Sequence, residues 1–577
     1  MNGDAAKDLG FEEGRFCRVL ESDDLDRDMR WQAIIAILAI LLILTLTGYT
    51  AFYMTTVVIP DYGGTYREGV AGNPGYISPL FSTYHDVDRD LVALIFNGLT
   101  RADENGQIQP DLADTWEISP DNLTYTFHLR QNVRWHDGTP FTADDVVFTI
   151  NILRSPDFQG QPQIAELWQM VTVERSDRYT VRFTLSEPFA PFLHYTTIGL
   201  LPAHLLQDVP IKQLSSHPFN LHPIGTGPFK IGEVTSKHAL LEANADYYAG
   251  RPYLDKIEFL FYPDYPSVLA AYQRGEIHGI GRVPLEYLPE VLAEDELQLY
   301  SAPLSGYGLV FLNLDRPVFQ EKEVRQALLW ALDRQRIIDQ ILDGQAVLAH
   351  GPVMPFSWAY EAHAPQYAYD PVKARNLLEK AGWIDADGDG VREKGDLRLE
   401  FALLTNDDET RIKIINEITR QWAEIGVRAV PQAVGVAGVV RDFLMPRNYD
   451  AILYEWQQLP TDPDPYPQWH STQKLGMGQN FTGYSNEQAD LLMEEARRTT
   501  DPVRRAALYR QLQRILAEDV PELPLYHPVY HYAVDKRVQN VRVGPMQDYA
   551  DRFRTVAEWY INMRRVIVSE APLWQRK

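Results

Sequence analysis

One segment near the start of the chain is apolar without interruption. No charged residue occurs between Arg30 and Asp61, and the stretch WQAIIAILAILLILTLTGYTAFY (31–53) forms the centre of this gap. A helix of roughly 20 such residues crosses the hydrocarbon core of a bilayer, and the aromatic residues at both ends of the stretch suit the membrane interface. The pattern predicts a transmembrane anchor over residues 31–53.

The basic residues around this segment predict the direction in which it crosses the membrane. Arg27 and Arg30 precede it, whereas the next basic residue is Arg67. The positive-inside rule therefore places residues 1–30 in the cytosol as a short tail and the chain beyond the anchor outside the cell, as a single-pass membrane protein. A cleaved signal peptide is the alternative, but the charged region is long for one and no small-x-small cleavage site is obvious. A buried core helix would carry a polar face, which this run lacks.

Beyond residue 60 the pattern alternates between strand and helix periods. The segments NLTYTFHLR (122–130) and YTVRFTL (179–185) alternate apolar and polar residues and predict half-buried strands. In TADDVVFTINIL (142–153), Thr142 and Asp145 predict a capped helix. Longer helices are predicted over 320–342, 409–425 and 501–519, the last with Asp501 as its cap. Interleaved strands and helices predict an α/β chain with two large lobes.

Composition and charge exclude several classes of function. The 577 residues are 45% hydrophobic, enough for large cores, and 79 acidic against 54 basic residues give a net charge of -25. That charge repels phosphate backbones, so no nucleic-acid partner is predicted. The single cysteine, Cys17, excludes an internal disulfide and any zinc or iron–sulfur site built on several cysteines. No G-x-S-x-G, H-E-x-x-H or P-loop motif occurs, and no enzymatic activity is predicted.

An acidic stretch, DADGDGVREKGD (385–396), offers candidate metal ligands. Asp385, Asp387 and Asp389 alternate as in the first half of a calcium loop, and Asp396 stands where a bidentate glutamate is usual. A strand pattern rather than a helix follows. An acidic hairpin turn and a calcium site both remain open, and no other cofactor is predicted.

The stretch YEWQQLPTDPDPYPQWH (454–470) is the most distinctive loop. Its prolines fix the backbone and exclude a long helix, so a rigid irregular segment is predicted after Trp456. Such loops often carry function. A catalytic acid pair, a metal turn and the wall of a binding cleft are the alternatives for this stretch. In a cleft wall, Trp456 would be a stacking platform, and Gln457 and Gln458 would offer amide donors and acceptors. Packing of Trp456 in the core is the alternative.

Several phrases together resemble the family 5 extracellular solute-binding proteins, the oligopeptide, dipeptide and nickel receptors of ABC importers. In chain order they are ISPLFSTYHDVDRDLVALIFNGLTR, PDLADTWEISPDNLTYTFHLRQNVRWHDGTPFTADDVVFTI, PIGTGPFKI, RPYLDKIEFLFYPD, FLNLDRPVFQEKEVRQALLWALDR and YDPVKARNLLEKAGW. The resemblance implies a two-lobed periplasmic-binding-protein-like fold of type II with an extra subdomain, whose lobes meet at a hinge of two crossing strands. It predicts lobe I over 60–308 with a subdomain inserted at about 86–209, lobe II over 309–524, and a return to lobe I over 525–577.

The resemblance also nominates ligand-binding residues. In peptide-binding relatives, an aspartate three residues after such a tryptophan pairs with the α-ammonium group of the ligand. Here Leu459 stands at that spacing, although the following D-P-D element is present as Asp462-Pro463-Asp464. An ammonium group buried against leucine loses its hydration at a cost of several kcal/mol, so a free N-terminus is disfavoured unless Asp462 or Glu455 replaces the missing carboxylate. By the same resemblance, further residues approach the cleft: Tyr76, Ser78, Tyr84 and Tyr307.

The function implied is a membrane-anchored receptor that captures peptide-like or other small polar solutes and delivers them to the permease of an ABC importer. A ligand touching both lobes would bias an open–closed equilibrium. One alternative is a membrane sensor that uses the same lobes and signals through residues 1–30. Another is an oligosaccharide ligand, which also suits a polar, aromatic cleft.

Overall fold

The computed structural model describes residues 16–82, 85–103, 105–160, 162–460, 462–476 and 478–570. Two compact units result, one from the residues up to Asp61 together with those from Asn562, and the other from Tyr62–Ile561. The strands are β1 (Thr56–Pro60), β2 (Thr65–Ala71), β3 (Thr100–Ala102), β4 (Ile108–Pro110), β5 (Ala113–Ile118), β6 (Thr124–Leu129), β7 (Val171–Asp177), β8 (Thr180–Leu185), β9 (Phe229–Val234), β10 (His238–Ala243), β11 (Lys256–Tyr262), β12 (Gly279–Ile280), β13 (Leu297–Pro303), β14 (Tyr307–Leu312), β15 (Ala346–Leu348), β16 (Glu393–Lys394), β17 (Leu397–Arg398), β18 (Glu400–Asn406), β19 (Arg428–Val434), β20 (Ala451–Trp456), β21 (Glu522–Asp535) and β22 (Met563–Ile567). The helices are α1 (Phe16–Thr55), α2 (Asp86–Ile95), α3 (Ala143–Arg154), α4 (Pro162–Gln169), α5 (Phe192–Tyr195), α6 (Ala203–Leu206), α7 (Ile211–Leu214), α8 (Tyr265–Gln273), α9 (Leu288–Leu292), α10 (Lys322–Trp330), α11 (Arg334–Ile341), α12 (Pro371–Lys380), α13 (Glu409–Ala423), α14 (Val436–Gly438), α15 (Tyr466–Trp469), α16 (Glu487–Arg498) and α17 (Pro502–Asp519).

The first unit contains the apolar segment predicted to cross a membrane. It forms one continuous helix, α1. The portion Met29–Thr55 is long and apolar enough to span a bilayer, and its most apolar stretch is not buried against the rest of the protein. Strand β1 follows at the next residue and pairs antiparallel with β22. Length and composition alone make this helix a candidate for either an anchor or a signal sequence.

The second unit is built on a long mixed sheet. The strand order is β19-β18-β20-β14-β21-β12-β2-β11-β10-β9, and β13 and β15 also pair with β21. Strand β21 pairs with β14 and β15 along its first half and with β12 and β13 along its second half. The sheet therefore has two halves that share one strand. We call the half with β2 and β9–β13 the first lobe, and the half with β14, β15 and β18–β20 the second lobe.

Each lobe has its own hydrophobic core, formed where helices cover the sheet. In the first lobe, Tyr66, Phe259 and Trp559 are buried in one cluster, which extends into the sheet of β5–β8. In the second lobe, Phe319 and Trp422 are buried in another. The predicted α/β class and two-lobed architecture are confirmed. The lobe boundaries stay predictions, since the two lobes together form a single compact unit.

The two strands predicted from alternation lie next to each other in a four-stranded antiparallel sheet of order β5-β6-β8-β7. Buried and less buried residues alternate along both β6 and β8, because one face of this sheet packs on the core. The capped helix is α3, where Thr142 N donates to Asp145 Oδ2 at 2.9 Å and the Thr142 side chain accepts from backbone N–H groups of the first turn. The predicted capping box is therefore confirmed.

The prediction of one continuous helix over residues 320–342 is wrong. Residues 320–342 form two helices, α10 and α11, instead of one. Asp333 starts the second by accepting a hydrogen bond from Arg336 N at 3.0 Å, and the buried Arg334 guanidinium donates to three carbonyls contributed by other segments. These bonds to distant segments accompany a change in the direction of the chain between α10 and α11. Helical periodicity in the sequence does not reveal this change. The helices predicted over 409–425 and 501–519 are present as α13 and α17.

Candidate functional site: the cleft between the lobes

Two stretches of chain pass between the lobes and hydrogen-bond to each other. Strand β21 runs through both lobes, and the short connection between β13 and β14 crosses beside it. Leu304 N donates to Pro528 O at 2.9 Å. His527 Nδ1 lies 2.9 Å from Gly306 O, and burial lowers the pKa of this histidine to about 4. These contacts define the hinge, on which His527 lies as an ordinary strand residue.

The end of strand β20 approaches the hinge closely. A Cβ atom on Gly306 would lie only 2.3 Å from Trp456 O, so the close approach of the two backbones requires glycine. Beyond the strand, Leu459 N donates to Ser305 O at 2.8 Å. The proline-rich loop is thereby attached to the hinge at its first residues, which positions Trp456 and Leu459 at the bottom of the cleft.

Trp456 lies in a group of aromatic rings. It stacks on Phe481 with 5.7 Å between ring centroids and an interplanar angle of 15°, and it meets Phe311 and Tyr454 edge to face. The indole is half-buried, and its Nε1 has no hydrogen-bond partner in the described part of the chain. The residue packs on the second lobe, and its Nε1 is buried without a partner. The role of Trp456 as a stacking platform for a ligand stays a prediction.

Trp456 and Leu459 line an apolar slot beside the hinge. The full lining is Ser305, Tyr307, Pro352, Val353, Met354, Phe356, Ser357, Trp456, Leu459, Pro460, Pro463, Asp464, Pro465, Gln468 and Trp469. Ser305 is 1% exposed, and its Oγ also has no hydrogen-bond partner among the described residues. The slot therefore combines apolar walls with uncharged hydrogen-bonding groups and one acid, Asp464.

Two further cavities adjoin this slot. An inner chamber of about 150 Å³ shares Ser305 with the slot and is lined by Gln457, Gln458, Arg89 and Arg282, among others. An outer chamber of about 400 Å³ shares Pro460, Asp464 and Gln468 with the slot. It lies between the sheet of β5–β8 and the second lobe. The slot therefore shares lining residues with a chamber on each side of it along the chain, the inner one at the hinge and the outer one at the proline-rich loop.

The two acids of the D-P-D element are occupied by arginines of the second lobe. Asp462 accepts from Arg505 at 2.7 and 3.1 Å, and both side chains are largely buried. Asp464 accepts from Arg497 at 2.8 and 2.6 Å. The Asp462 carboxylate raises the pKa of Arg505 above its ordinary range, although burial opposes this shift. Asp462 consequently serves the second lobe as an ion-pair partner.

The outer chamber contains a cationic feature that sequence reasoning missed. The Arg497 guanidinium lies 3.9 Å from the ring centroid of Tyr466 and 5.3 Å from that of Phe189, which belongs to the opposite wall. Since Arg497 is the penultimate residue of α16, its sequence context is that of a solvent-facing helix end. Only the D-P-D element nearby could have indicated a partner for it.

The glutamines after Trp456 are exposed and engage acids. Gln457 Nε2 donates to Glu455 Oε1 at 2.7 Å, on the same strand. Gln458 adopts a φ of 56° and donates from Nε2 to Asp548 Oδ2 at 2.6 Å. Asp548 lies beside Arg89 of the first lobe, with 2.7 Å between Oδ2 and Nε. Gln458 therefore connects the lobes across the inner chamber.

The tyrosine and serine candidates are divided among several environments. Tyr307 lines the slot with its ring, but its hydroxyl is buried and donates to Glu522 Oε1 at 2.6 Å. Ser78 is 1% exposed and Tyr76 is 42% exposed, and neither lines any of the three cavities. Tyr84 lies outside the described residues. Which of these residues contact a ligand stays a prediction.

The acidic loop forms a compact turn. Oxygens of Asp385, Asp387, Asp389 and Glu393 lie within 4.8 Å of one another, and Asp396 is not in the group. Asp385 accepts from two backbone amides of the loop, and Asp389 accepts from Arg398 at 2.5 Å. These bonds suit an acidic hairpin, and the oxygen set suits a hard cation. The two interpretations of this loop therefore both stand as predictions.

Two α/β lobes around an enclosed cleft, joined by a two-stranded hinge, define a solute-binding protein of the periplasmic type. The chain belongs to the bacterial extracellular solute-binding proteins of family 5, whose model, described as "Bacterial extracellular solute-binding proteins, family 5 Middle", matches residues 107–476. The resemblance predicted from its phrases is confirmed.

Individual relatives support the same assignment. The chain is 32% identical to the oligopeptide-binding protein AppA of Bacillus subtilis, over 87% of this chain and 92% of AppA. It is 29% identical to di/tripeptide-binding protein 1 of Pseudomonas aeruginosa, over 82% of this chain and 91% of the relative. The structure of AppA in complex with a nonapeptide matches with a TM-score of 0.69, covering 87% of this chain and 100% of AppA. That of NikZ from Campylobacter jejuni in complex with Ni(L-His), 29% identical, matches with a TM-score of 0.71 over 86% of this chain and 99% of NikZ.

Proposed function

We propose that the chain is a membrane-anchored extracytoplasmic receptor that captures an extended, peptide-like solute and delivers it unaltered to the permease of an ABC importer. The observation that carries this proposal is the presence of three cavities beside the hinge, the inner chamber, the slot and the outer chamber, which share lining residues. An elongated space between two hinged lobes suits a ligand that spans several residues and touches both lobes.

Capture follows from the hinge. A ligand that contacts Trp456 on one lobe and the sheet of β5–β8 on the other is bound better when the lobes are closed, so it shifts the population toward that state. The closed shape is the one that the permease would recognise. A helix in the membrane keeps the receptor near its permease and raises the effective concentration of the pair.

The slot indicates how one end of the ligand is recognised. Leu459 and its neighbours offer apolar contact, while Trp456 Nε1 and Ser305 Oγ offer hydrogen bonds without charge. Because Asp462 is paired with Arg505, it is not placed to balance an ammonium group beside Leu459. We infer that the slot takes an uncharged, partly apolar group, such as a side chain with an amide carbonyl, rather than a free N-terminus.

The substitution Leu459→Asp tests this assignment. Adding a carboxylate at this position should increase affinity for short peptides with free N-termini by about 10- to 100-fold, the range of a charge-assisted hydrogen bond. Isothermal titration calorimetry with such peptides and with their N-acetylated counterparts measures the effect. Acetylated peptides should gain nothing from the substitution.

Leu491→Asp provides a matched control, since Leu491 is an exposed leucine of α16 in the same lobe. It should leave affinity for both peptide sets unchanged. Tight binding of free-amino peptides by the parent protein would contradict the assignment of the slot. Mass spectrometry of ligand released from the purified protein identifies the solute, and its chemical conversion during incubation would contradict delivery of an unaltered solute.

A further inference from the structure

The first unit ends in a two-stranded ribbon that starts at the residue after helix α1 ends. In the register of β1 and β22, Val58 lies opposite Arg565, Thr56 opposite Ile567, and Pro60 opposite Met563. Residues directly opposite in an antiparallel pair project from the same face. One side of the ribbon, which we call the outer ribbon face, therefore carries Val58, Met563, Arg565 and Ile567.

The outer ribbon face is apolar and exposed. Val58 is 41% exposed, Met563 56% and Ile567 52%. On the opposite face, Ile59 is only 6% exposed. Three large apolar side chains on one exposed face of such a short ribbon form a patch that suits contact with another apolar surface.

Arg565 connects this face to the end of the apolar helix. Its guanidinium lies 4.5 Å from the ring centroid of Tyr53 and 5.4 Å from that of Phe52, and it donates to Thr56 Oγ1 at 3.2 Å. Arg564, on the opposite face, instead lies 3.5 Å from Asp61. The outer ribbon face and the last turn of the helix consequently form one continuous surface.

The helix end fixes the level of this surface relative to a membrane. The span Met29–Thr55 has 27 residues. At 1.5 Å per residue it extends about 40 Å, which exceeds the hydrocarbon core of about 30 Å. If this span crosses the membrane, aromatic residues at its end, such as Tyr53, would lie at the depth of the lipid head groups, where aromatic residues are commonly found. A guanidinium group beside Tyr53 would then lie at the depth of the lipid phosphates.

The charge of the ribbon suits a lipid partner, unlike the charge of the protein as a whole. The protein as a whole carries a net charge of -25, which anionic lipids repel. Strands β1 and β22 contain no acidic residue and two arginines. Arginine suits phosphate because its planar donors can bind two phosphate oxygens at once.

We propose that the outer ribbon face lies on the outer leaflet of the membrane that α1 crosses. Arg565 contacts a phospholipid phosphate, and Val58, Met563 and Ile567 contact the boundary between head groups and acyl chains. This inference rests on the proposed membrane anchor and goes beyond it, because it gives the C-terminal strand a role in holding the anchor at the lipid surface.

Site-directed spin labelling of the full-length chain tests the inference. In a Cys17→Ser background, Val58→Cys carries a nitroxide, and the protein is reconstituted in nanodiscs of equal parts phosphatidylcholine and phosphatidylglycerol. The label should be several-fold less accessible to an aqueous nickel reagent, and more accessible to oxygen, than a label at Val347→Cys. Val347 is a matched control because it is 42% exposed and lies in β15 of the second lobe.

A pair of arginine variants separates phosphate contact from apolar contact. Arg565→Gln should raise nickel accessibility at the Val58 label in these nanodiscs, whereas Arg564→Gln should leave it unchanged. Equal effects of the two variants would overturn the phosphate contact.

Flotation of the reconstituted protein distinguishes failure of the membrane anchor from failure of the ribbon contact. If the chain does not float with lipid, both the anchor and the ribbon inference fail. If it floats but the Val58 label is as accessible to nickel as the Val347 label, only the ribbon inference fails. Dipolar coupling between Val58 labels on two molecules would show that a second copy covers the face, which would also overturn the lipid contact.

Discussion

At the level of single residues, the charged groups around the cleft are paired with one another. Asp462 binds Arg505 and Asp464 binds Arg497, so neither acid is left as an open countercharge. Two uncharged groups of the slot, Trp456 Nε1 and Ser305 Oγ, have no hydrogen-bond partner among the described residues. Recognition in the slot is therefore expected to depend on hydrogen bonds and shape.

Glu522 provides a pH-dependent test at this scale. It is buried at the start of β21, accepts from Tyr307 and has an Oε2 without a partner in the described part of the chain. Burial raises its pKa to about 8. The folded state therefore holds this proton more tightly than the unfolded state, so its contribution to stability is full below the ordinary pKa of a glutamate and is lost as the pH rises toward 8.

Replacing Glu522 with glutamine should remove this dependence while retaining an acceptor for Tyr307. The free energy of unfolding of Glu522→Gln, relative to the parent, should rise between about pH 5 and pH 8 by on the order of a few kcal/mol. Urea unfolding across this range measures the difference. Glu290→Gln, at an exposed glutamate of α9, should show no such rise. A constant difference between Glu522→Gln and the parent would contradict the assignment.

At the level of elements, one buried arginine joins three parts of the first lobe. Arg552 donates to Glu68 of β2 at 2.9 Å and to Asp90 of α2 at 2.6 Å, and it lies in the turn after β21. Tyr66 and Tyr532 donate to the second oxygen of Glu68, so this carboxylate is fully hydrogen-bonded. The strand, the helix and the turn are thereby fixed to one another beside the inner chamber.

The substitution Arg552→Met should be strongly destabilising, because it leaves two buried carboxylates without a countercharge. A loss of about 3–5 kcal/mol in the free energy of unfolding is expected. Arg542→Met, which removes the exposed pair with Glu558, should cost less than about 1 kcal/mol. Chemical denaturation compares the two. Similar losses for both variants would show that the buried network contributes no more than a surface ion pair.

At the level of the whole molecule, the lobes also touch far from the hinge. Thr500, just after α16, donates through its hydroxyl to Asn122 Oδ1 at 2.9 Å, at the tip of the turn between β5 and β6. Ala190 N donates to Arg497 O at 2.7 Å. These bonds join the second lobe to the turn between β5 and β6 and to the segment after β8, so we expect them to stabilise a closed arrangement of the lobes.

Thr500→Val keeps the shape of the side chain but removes the hydroxyl donor. Losing one hydrogen bond of the closed state should weaken ligand affinity about 3- to 10-fold, with no loss of thermal stability beyond about 1 kcal/mol. Calorimetry with the captured solute measures the affinity, and small-angle scattering measures the compaction on binding. Thr419→Val, which removes a hydroxyl bonded within α13, should not change affinity. Unchanged affinity of Thr500→Val would show that this contact does not support closure.

Local pattern was sufficient for many elements of this chain. Alternation predicted β6 and β8, and the side chains of Thr142 and Asp145 predicted the start of α3, because the physical causes lie within a few residues. The division of 320–342 into two helices was not predictable. Its cause is the bonding of Arg334 to carbonyls that are distant in sequence.

The sequence by itself determined the class of the protein, the apolar helix and the presence of a leucine instead of an acid at position 459, since these depend on residue identity and order. Only the tertiary structure decided that Asp462 is paired with Arg505, that Glu393 rather than Asp396 joins the acidic group, and that Arg497 faces a cavity. Those outcomes depend on which side chains come within a few ångströms of one another. Distances between residues far apart in the chain are fixed by packing, and local sequence patterns carry little information about them.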